Sequence, residues 1–94
     1  MGAKKKFSEA QRLFNQNELA GALEILNQCI SEKAIDIQYL LLRGRIHYKM
    51  QNWGDAMNDY ASVLELDSGN SEANAGLEMT KNILTYFTPD MFNP

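Results

Sequence analysis

Residues 40–66 read Leu40-Leu41-Leu42-Arg43-Gly44-Arg45-Ile46-His47-Tyr48-Lys49-Met50-Gln51-Asn52-Trp53-Gly54-Asp55-Ala56-Met57-Asn58-Asp59-Tyr60-Ala61-Ser62-Val63-Leu64-Glu65-Leu66. Leu40, Gly44, His47 and Tyr48 recur at helical spacing, as do Trp53, Met57, Tyr60 and Leu64. Between the two stripes stands Gln51-Asn52, a polar break. The stretch therefore predicts two helices joined by a tight turn, with Asn52 as the cap of the second. The small residues Gly44 and Ala56 mark the point where the two helices approach most closely.

Outward from this stretch the same pattern returns. A shift of 34 residues sets Ala10 on Gly44, Ala22 on Ala56, Leu26 on Tyr60, Cys29 on Val63 and Ile30 on Leu64. Asn17 falls on Gln51, so the breaks align as well. The unit is a 34-residue helical hairpin used at least twice. Phe7, Ala10, Leu13 and Phe14 stripe the first helix, and Leu19, Leu23, Leu26 and Ile30 the second. Ala73, Leu77, Leu84 and Phe87 stripe a fifth. Asp36 is placed to cap the third helix, Asp67-Ser68-Gly69-Asn70 breaks the fourth from the fifth, and Thr88-Pro89 ends the last. A lone hairpin leaves one face unburied, so such hairpins stack.

Composition agrees with one small domain. The chain has 94 residues, 45% hydrophobic and 22% charged, which is too apolar for a disordered segment. One cysteine forms no internal disulfide, and no apolar run approaches the ~20 residues of a membrane span. Three lysines near the start are followed by no apolar stretch, and Lys6 stands where a myristoylation signal needs Ser or Thr. A cytoplasmic protein is the expectation. The net charge of −3 argues against nucleic-acid binding. It is unevenly divided: residues 1–49 carry +3 and residues 50–94 carry −6.

Little in the inventory does chemistry. His47 is the only histidine and Cys29 the only cysteine. His47 reads as a half-buried structural residue, and Cys29 as a small buried hydrophobe on the inner stripe of its helix. No Cys and His spacing suits zinc, and no glycine-rich loop suits phosphate. Asp55 and Asp59, one turn apart, read as solvated acids. The expectation is no enzyme activity, no cofactor and no metal.

The 34-residue hairpin with Gly44, Ala56 and Tyr60 at these places resembles the tetratricopeptide repeat family. Repeat one would span 3–36, repeat two 37–70, and a capping helix 71–87, all within one domain over 1–94. The resemblance implies an all-α fold of five helices, two and a half repeats, in a right-handed superhelical stack. Departures are plain: Leu40 stands for the family's Trp, His47 for its Tyr, and Ala34 and Ser68 for its closing Pro. Arg43-Gly44 is a variant of the family that goes with an acidic residue on the second helix, which implies an Arg43–Asp59 ion pair, worth only ~0–1 kcal/mol if exposed. Glu78 stands where Ala10 and Gly44 recur. It forbids a following helix, so Glu72, Glu78, Lys81 and Asn82 would face water.

The family lines a concave groove with the first helices of its repeats. The resemblance places there Lys4, Phe7, Gln11, Phe14 and Asn15; then Gln38, Leu41, Arg45, Tyr48 and Lys49; then Glu72, Ala75, Met79 and Asn82. Phe7, Phe14, Leu41, Tyr48 and Met79 would form an apolar strip, with Arg45 and Lys49 beside it. Phe7, Phe14 and Tyr48 fit core and groove equally well. The family's clamp for terminal carboxylates does not carry over, because Phe7, Gln11, Leu42, Glu72 and Gly76 hold its positions. The expected function is a non-catalytic adaptor that binds a peptide or helix of another protein, with an acidic flank opposite Arg45 and Lys49. The alternative is a homodimer that uses the groove or the capping helix. The tail 88–94, with Met91 and Phe92, would fold back on the capping helix, enter a groove or stay frayed. Folding back is the expectation.

Overall fold

The computed structural model describes residues 2–31 and 35–87. Five helices follow one another: α1 Ala3–Asn15, α2 Leu19–Ser31, α3 Ile37–Lys49, α4 Trp53–Leu66 and α5 Ser71–Phe87. Among the described residues there is no strand. Each helix packs on the next in sequence. In addition α1 touches α3, and α3 touches α5, whereas the backbones of α2 and α4 do not approach each other closely among the described residues. Thus α1, α3 and α5 form one layer, with α2 and α4 behind it. The Thr88-Pro89 stop, the 88–94 tail and Ala34 lie outside the described residues.

The two hairpin turns are the same device. Asn17 and Gln51 are the only described non-glycine residues in the left-handed region, with φ of 62° and 63°. At the first turn the Asn17 N–H donates to the Phe14 carbonyl at 2.9 Å and the Glu18 N–H to Leu13 at 2.8 Å. At the second, Gln51 donates to Tyr48 at 3.1 Å and Asn52 to His47 at 2.8 Å. These are the paired bonds of a Schellman helix end, which satisfy carbonyls the helix leaves orphaned. The left-handed region costs an ordinary side chain about 1–2 kcal/mol, less for Asn. Replacing Gln51 by Gly should therefore raise stability by about 1 kcal/mol, read as a melting temperature about 4–8 °C higher.

Caps at the helix starts differ from one another. Asp36 accepts the Gln38 N–H at 2.7 Å, as its position predicts. Asn70 accepts the Ala73 N–H at 2.9 Å and so caps α5. Asn52 sits at the start of α4 but makes no side-chain cap. Its N–H already closes the Schellman turn, and its amide turns instead to His47 Nδ1 at 3.5 Å.

Two apolar clusters hold the layers together. Ala10, Ala22, Leu26, Cys29, Tyr39, Leu42 and Ile46 form the first, between α1, α2 and α3. Leu40, Leu41, Ala56, Tyr60, Val63 and Ala73 form the second, between α3, α4 and α5. Helix α3 is the middle of the stack, so its run Leu40-Leu41-Leu42 is buried toward both sides. Fully burying a Leu, Ile or Val contributes about 1.5–3 kcal/mol. Leu26, Leu42, Ile46 and Val63 are all sealed from solvent.

The small residues lie where close approach needs them. Ala10, Ala22 and Ala56 have no exposed surface. A β-carbon at Gly44 would stand 2.9 Å from Tyr60 Cε1, and one at Gly76 would stand 2.6 Å from Tyr60 Cε2 and Cζ. The Tyr60 ring, rooted on α4, is thus held between the backbones of α3 and α5. The point of approach on α5 is Gly76. Glu78, two residues further on, is exposed.

Candidate functional site

The structure corrects several expectations about the α1, α3 and α5 face. Leu41 is 4% exposed and belongs to the second core cluster, so it offers nothing to a partner. Arg45 is not free either: its Nη2 donates to Glu72 Oε1 at 2.6 Å and its Nε to Oε2. Glu72 accordingly turns to α3 and does not simply face water. Phe7 packs on the first core cluster, its ring 5.0 Å from that of Tyr39. Phe14 packs on the same cluster and carries the Lys49 ammonium 4.9 Å above its ring. Gln11 and Lys49 are exposed.

Tyr48 and Met79 do come together at the surface. Met79 is 50% exposed, and Tyr48 sets its ring edge-on to Trp53 with 5.2 Å between centroids. With Tyr60, Glu72, Ala75 and Gly76 they line a cavity of about 200 Å³ between α3 and α5. Tyr60 reaches it from α4 through the gap between Gly44 and Gly76. Sequence reading treats Tyr60 as core filler and passes over Gly76 here. The signal was present in the second glycine, but it lies two residues short of the 34-residue register.

Electrostatics at the rim follow from the Arg45–Glu72 pair. The hydrogen bonds from Arg45 hold the Glu72 carboxyl below the usual carboxylate range, against a smaller opposing effect of burial. The same bonds raise Arg45. Burial, aided by the Glu72 charge, pushes the Tyr60 phenol up to about 12, so it remains a donor across all ordinary pH. A lowered carboxyl stabilises the fold above its unfolded pKa and loses that contribution as pH falls through the folded pKa. Both side chains are 39% exposed, so solvent screening keeps the effect within about 0.2–1 kcal/mol. Urea midpoints of the chain and its Glu72→Gln variant should differ at pH 6 and converge toward pH 3.

A second polar cluster lies inside the fold. Arg43 donates through Nε to Asp59 Oδ2 at 2.8 Å and through Nη2 to Oδ1 at 2.7 Å, which is the pair the resemblance implied. Asp59 is no solvated acid, since only 4% of it is exposed. Arg43 Nη1 also donates to Asn27 Oδ1 at 3.0 Å and so ties α3 to α2. His47 stands between the carboxylates, 3.9 Å from Asp59 and 4.0 Å from Asp55. The Arg43–Asp59 pair and His47 thus tie α3 to α4 within one hairpin, and Asn27 alone reaches across from the other. Among the described residues no group of three or more His, Cys, Asp or Glu is placed to hold a metal ion. Cys29 is buried, and no described helix is long and apolar enough to cross a membrane.

A further cavity of about 240 Å³ opens on another side, lined by Ile30, Ile35, Leu40, Ser62, Glu65 and Leu66. No protein-family model, no curated protein and no solved structure matches the chain. The geometry by itself defines a small all-helical domain with an apolar cavity on its three-helix face. The polar groups among its lining residues belong to Tyr48, Tyr60 and Glu72.

Proposed function

We propose that the chain is a small tetratricopeptide-type stack of two and a half repeats and acts as a non-catalytic adaptor. It takes a short segment of another protein on the face shared by α1, α3 and α5. The fold reading is supported by two identical Schellman turns 34 residues apart and by a layer of alternate helices. The observation that carries the functional reading is the cavity under Met79 and Tyr48, apolar and open at the surface. An extended peptide or amphipathic helix would seat one apolar side chain there. A groove this short suits micromolar binding, about 8 kcal/mol. A cytoplasmic location belongs to the same reading, because a lone buried thiol suits a reducing compartment.

Panning a displayed library of random twelve-residue peptides on the purified chain tests this. The selected peptides should bind in the micromolar range and lose at least tenfold in affinity when Met79→Glu and Tyr48→Ala are combined. Circular dichroism should meanwhile show the variant still helical. Equal binding by that folded variant would move the site elsewhere, and a library that yields no binder would end the adaptor reading. Self-association is the second reading. It is favoured by the opposite charge of the two halves, +3 and −6, on a chain 48 Å long. Sedimentation equilibrium separates it, since a stable dimer that hides Met79 supports self-association.

A further inference from the structure

The cavity has one polar group at its floor. Tyr60 is 4% exposed, and its hydroxyl has no hydrogen-bonding partner among the described residues. Yet no fully buried side-chain nitrogen or oxygen among them is unsatisfied. The hydroxyl therefore keeps some contact with open space, and the cavity that Tyr60 lines under Met79 and Tyr48 offers that space. The two glycines explain how it gets there. With side chains at Gly44 or Gly76, the α4 ring would not pass between α3 and α5 to the opposite face. A hydroxyl open to the cavity is held by water in the free chain, and a ligand that supplies an acceptor there replaces that water with one direct hydrogen bond.

The charges around the cavity sharpen the picture. Glu72 is already answered by Arg45, so the near rim is neutral. Lys49 follows Tyr48 in sequence and turns to the α1 side of α3, over Phe14. It is exposed, and no carboxylate pairs with it among the described residues. A segment crossing α3 from α5 toward α1 meets first an apolar cavity with a donor at its floor, then a cation.

We propose that Tyr60 is the specificity-determining residue of this site. It hydrogen-bonds a carbonyl of a partner segment that enters the cavity, with a neutral aromatic side chain seated beside that carbonyl between Tyr48 and Met79 and an acidic residue beyond it toward Lys49. This rests on the adaptor reading above and names the chemistry of the occupant. An aromatic ring suits the lining, because Tyr48 offers an edge or face and the Met79 sulfur makes favourable contacts with rings.

Two small probes of nearly equal shape test the floor directly: acetophenone, which carries a carbonyl, and ethylbenzene, which does not. Binding is read from the Met79 methyl resonance of the full chain and of Tyr60→Phe, a variant that keeps the ring and hence the packing. The variant should weaken acetophenone about three- to tenfold, the worth of one neutral hydrogen bond, and leave ethylbenzene unchanged. Equal effects on both probes, or no binding of either, overturn the proposal. The peptide library then still decides the adaptor reading separately. Two other results also overturn the proposal. Concentration-dependent protection of Met79 in the free chain would give the cavity to a second copy. Protection that vanishes on deleting residues 88–94 would give it to the chain's own C-terminal segment.

Discussion

Replacing Arg43 by Ala should cost about 3–5 kcal/mol, out of a total stability of about 5–14 kcal/mol for a domain of this length. The reason is what the change leaves behind. The side chain of Asp59 is 5% exposed and takes two of its hydrogen bonds from Arg43. Those bonds also raise the Arg43 pKa, so the guanidinium is charged at every working pH. Without it the Asp59 carboxyl sits buried with no guanidinium beside it and the His47 ring 3.9 Å away. The link from α3 to Asn27 on α2 is lost too. The double variant Arg43→Met with Asp59→Leu should lie close to the parent, because removing both charges also removes the cost of burying them. Urea denaturation of the single and double variants checks this. A single-variant loss under about 1 kcal/mol would mean that the pair behaves as a surface ion pair.

Tyr60→Ala should have the other large effect, about 3–5 kcal/mol. The ring fills the joint between α3, α4 and α5, and two glycine backbones shape the joint to it. Truncation leaves a void that neither glycine can fill. Gly76→Ala tests the same joint from the other side. Its new methyl would meet Tyr60 at 2.6 Å, and the ring cannot retreat because Gly44 stands behind it. Overpacking of that kind costs about 1–3 kcal/mol, offset by about 1 kcal/mol from better helix propensity. Tyr60→Phe should leave thermal stability within about 1 kcal/mol of the parent, since its hydroxyl has no hydrogen-bonding partner among the described residues. A large loss from Tyr60→Phe would show that the hydroxyl serves the fold and not a ligand.

The helices and their turns were legible because each rests on local chemistry. Three-and-four spacing marked the stripes, and Asn17 and Gln51 marked the two left-handed turns at equivalent positions. The Asp36 cap needed only its own residue and the helix that follows. The site was less legible, for reasons that involve neighbours. Leu41 falls at a groove position by register, yet α3 is covered on both sides and draws it into the core. Arg45 looks available in sequence, but Glu72 lies 27 residues away and only the packing of α5 on α3 brings them together. Gly76 escaped because the α5 contact departs by two residues from the 34-residue repeat. Asp59 reads as an exposed acid beside Asp55, although only one of the two points inward. Tyr48 and Met79 line the cavity on the α3 and α5 face, and Lys49 is exposed beside Phe14.

The most direct test of the account is cross-saturation from a library-selected peptide to the isotope-labelled chain. Intensity loss at Met79, Ala75 and Tyr48, and at Gln11 as the peptide continues across α1, is the predicted result. Loss centred on Ile35, Ser62 and Leu66, around the cavity on the other side, would contradict the claim that the α1, α3 and α5 face receives the partner.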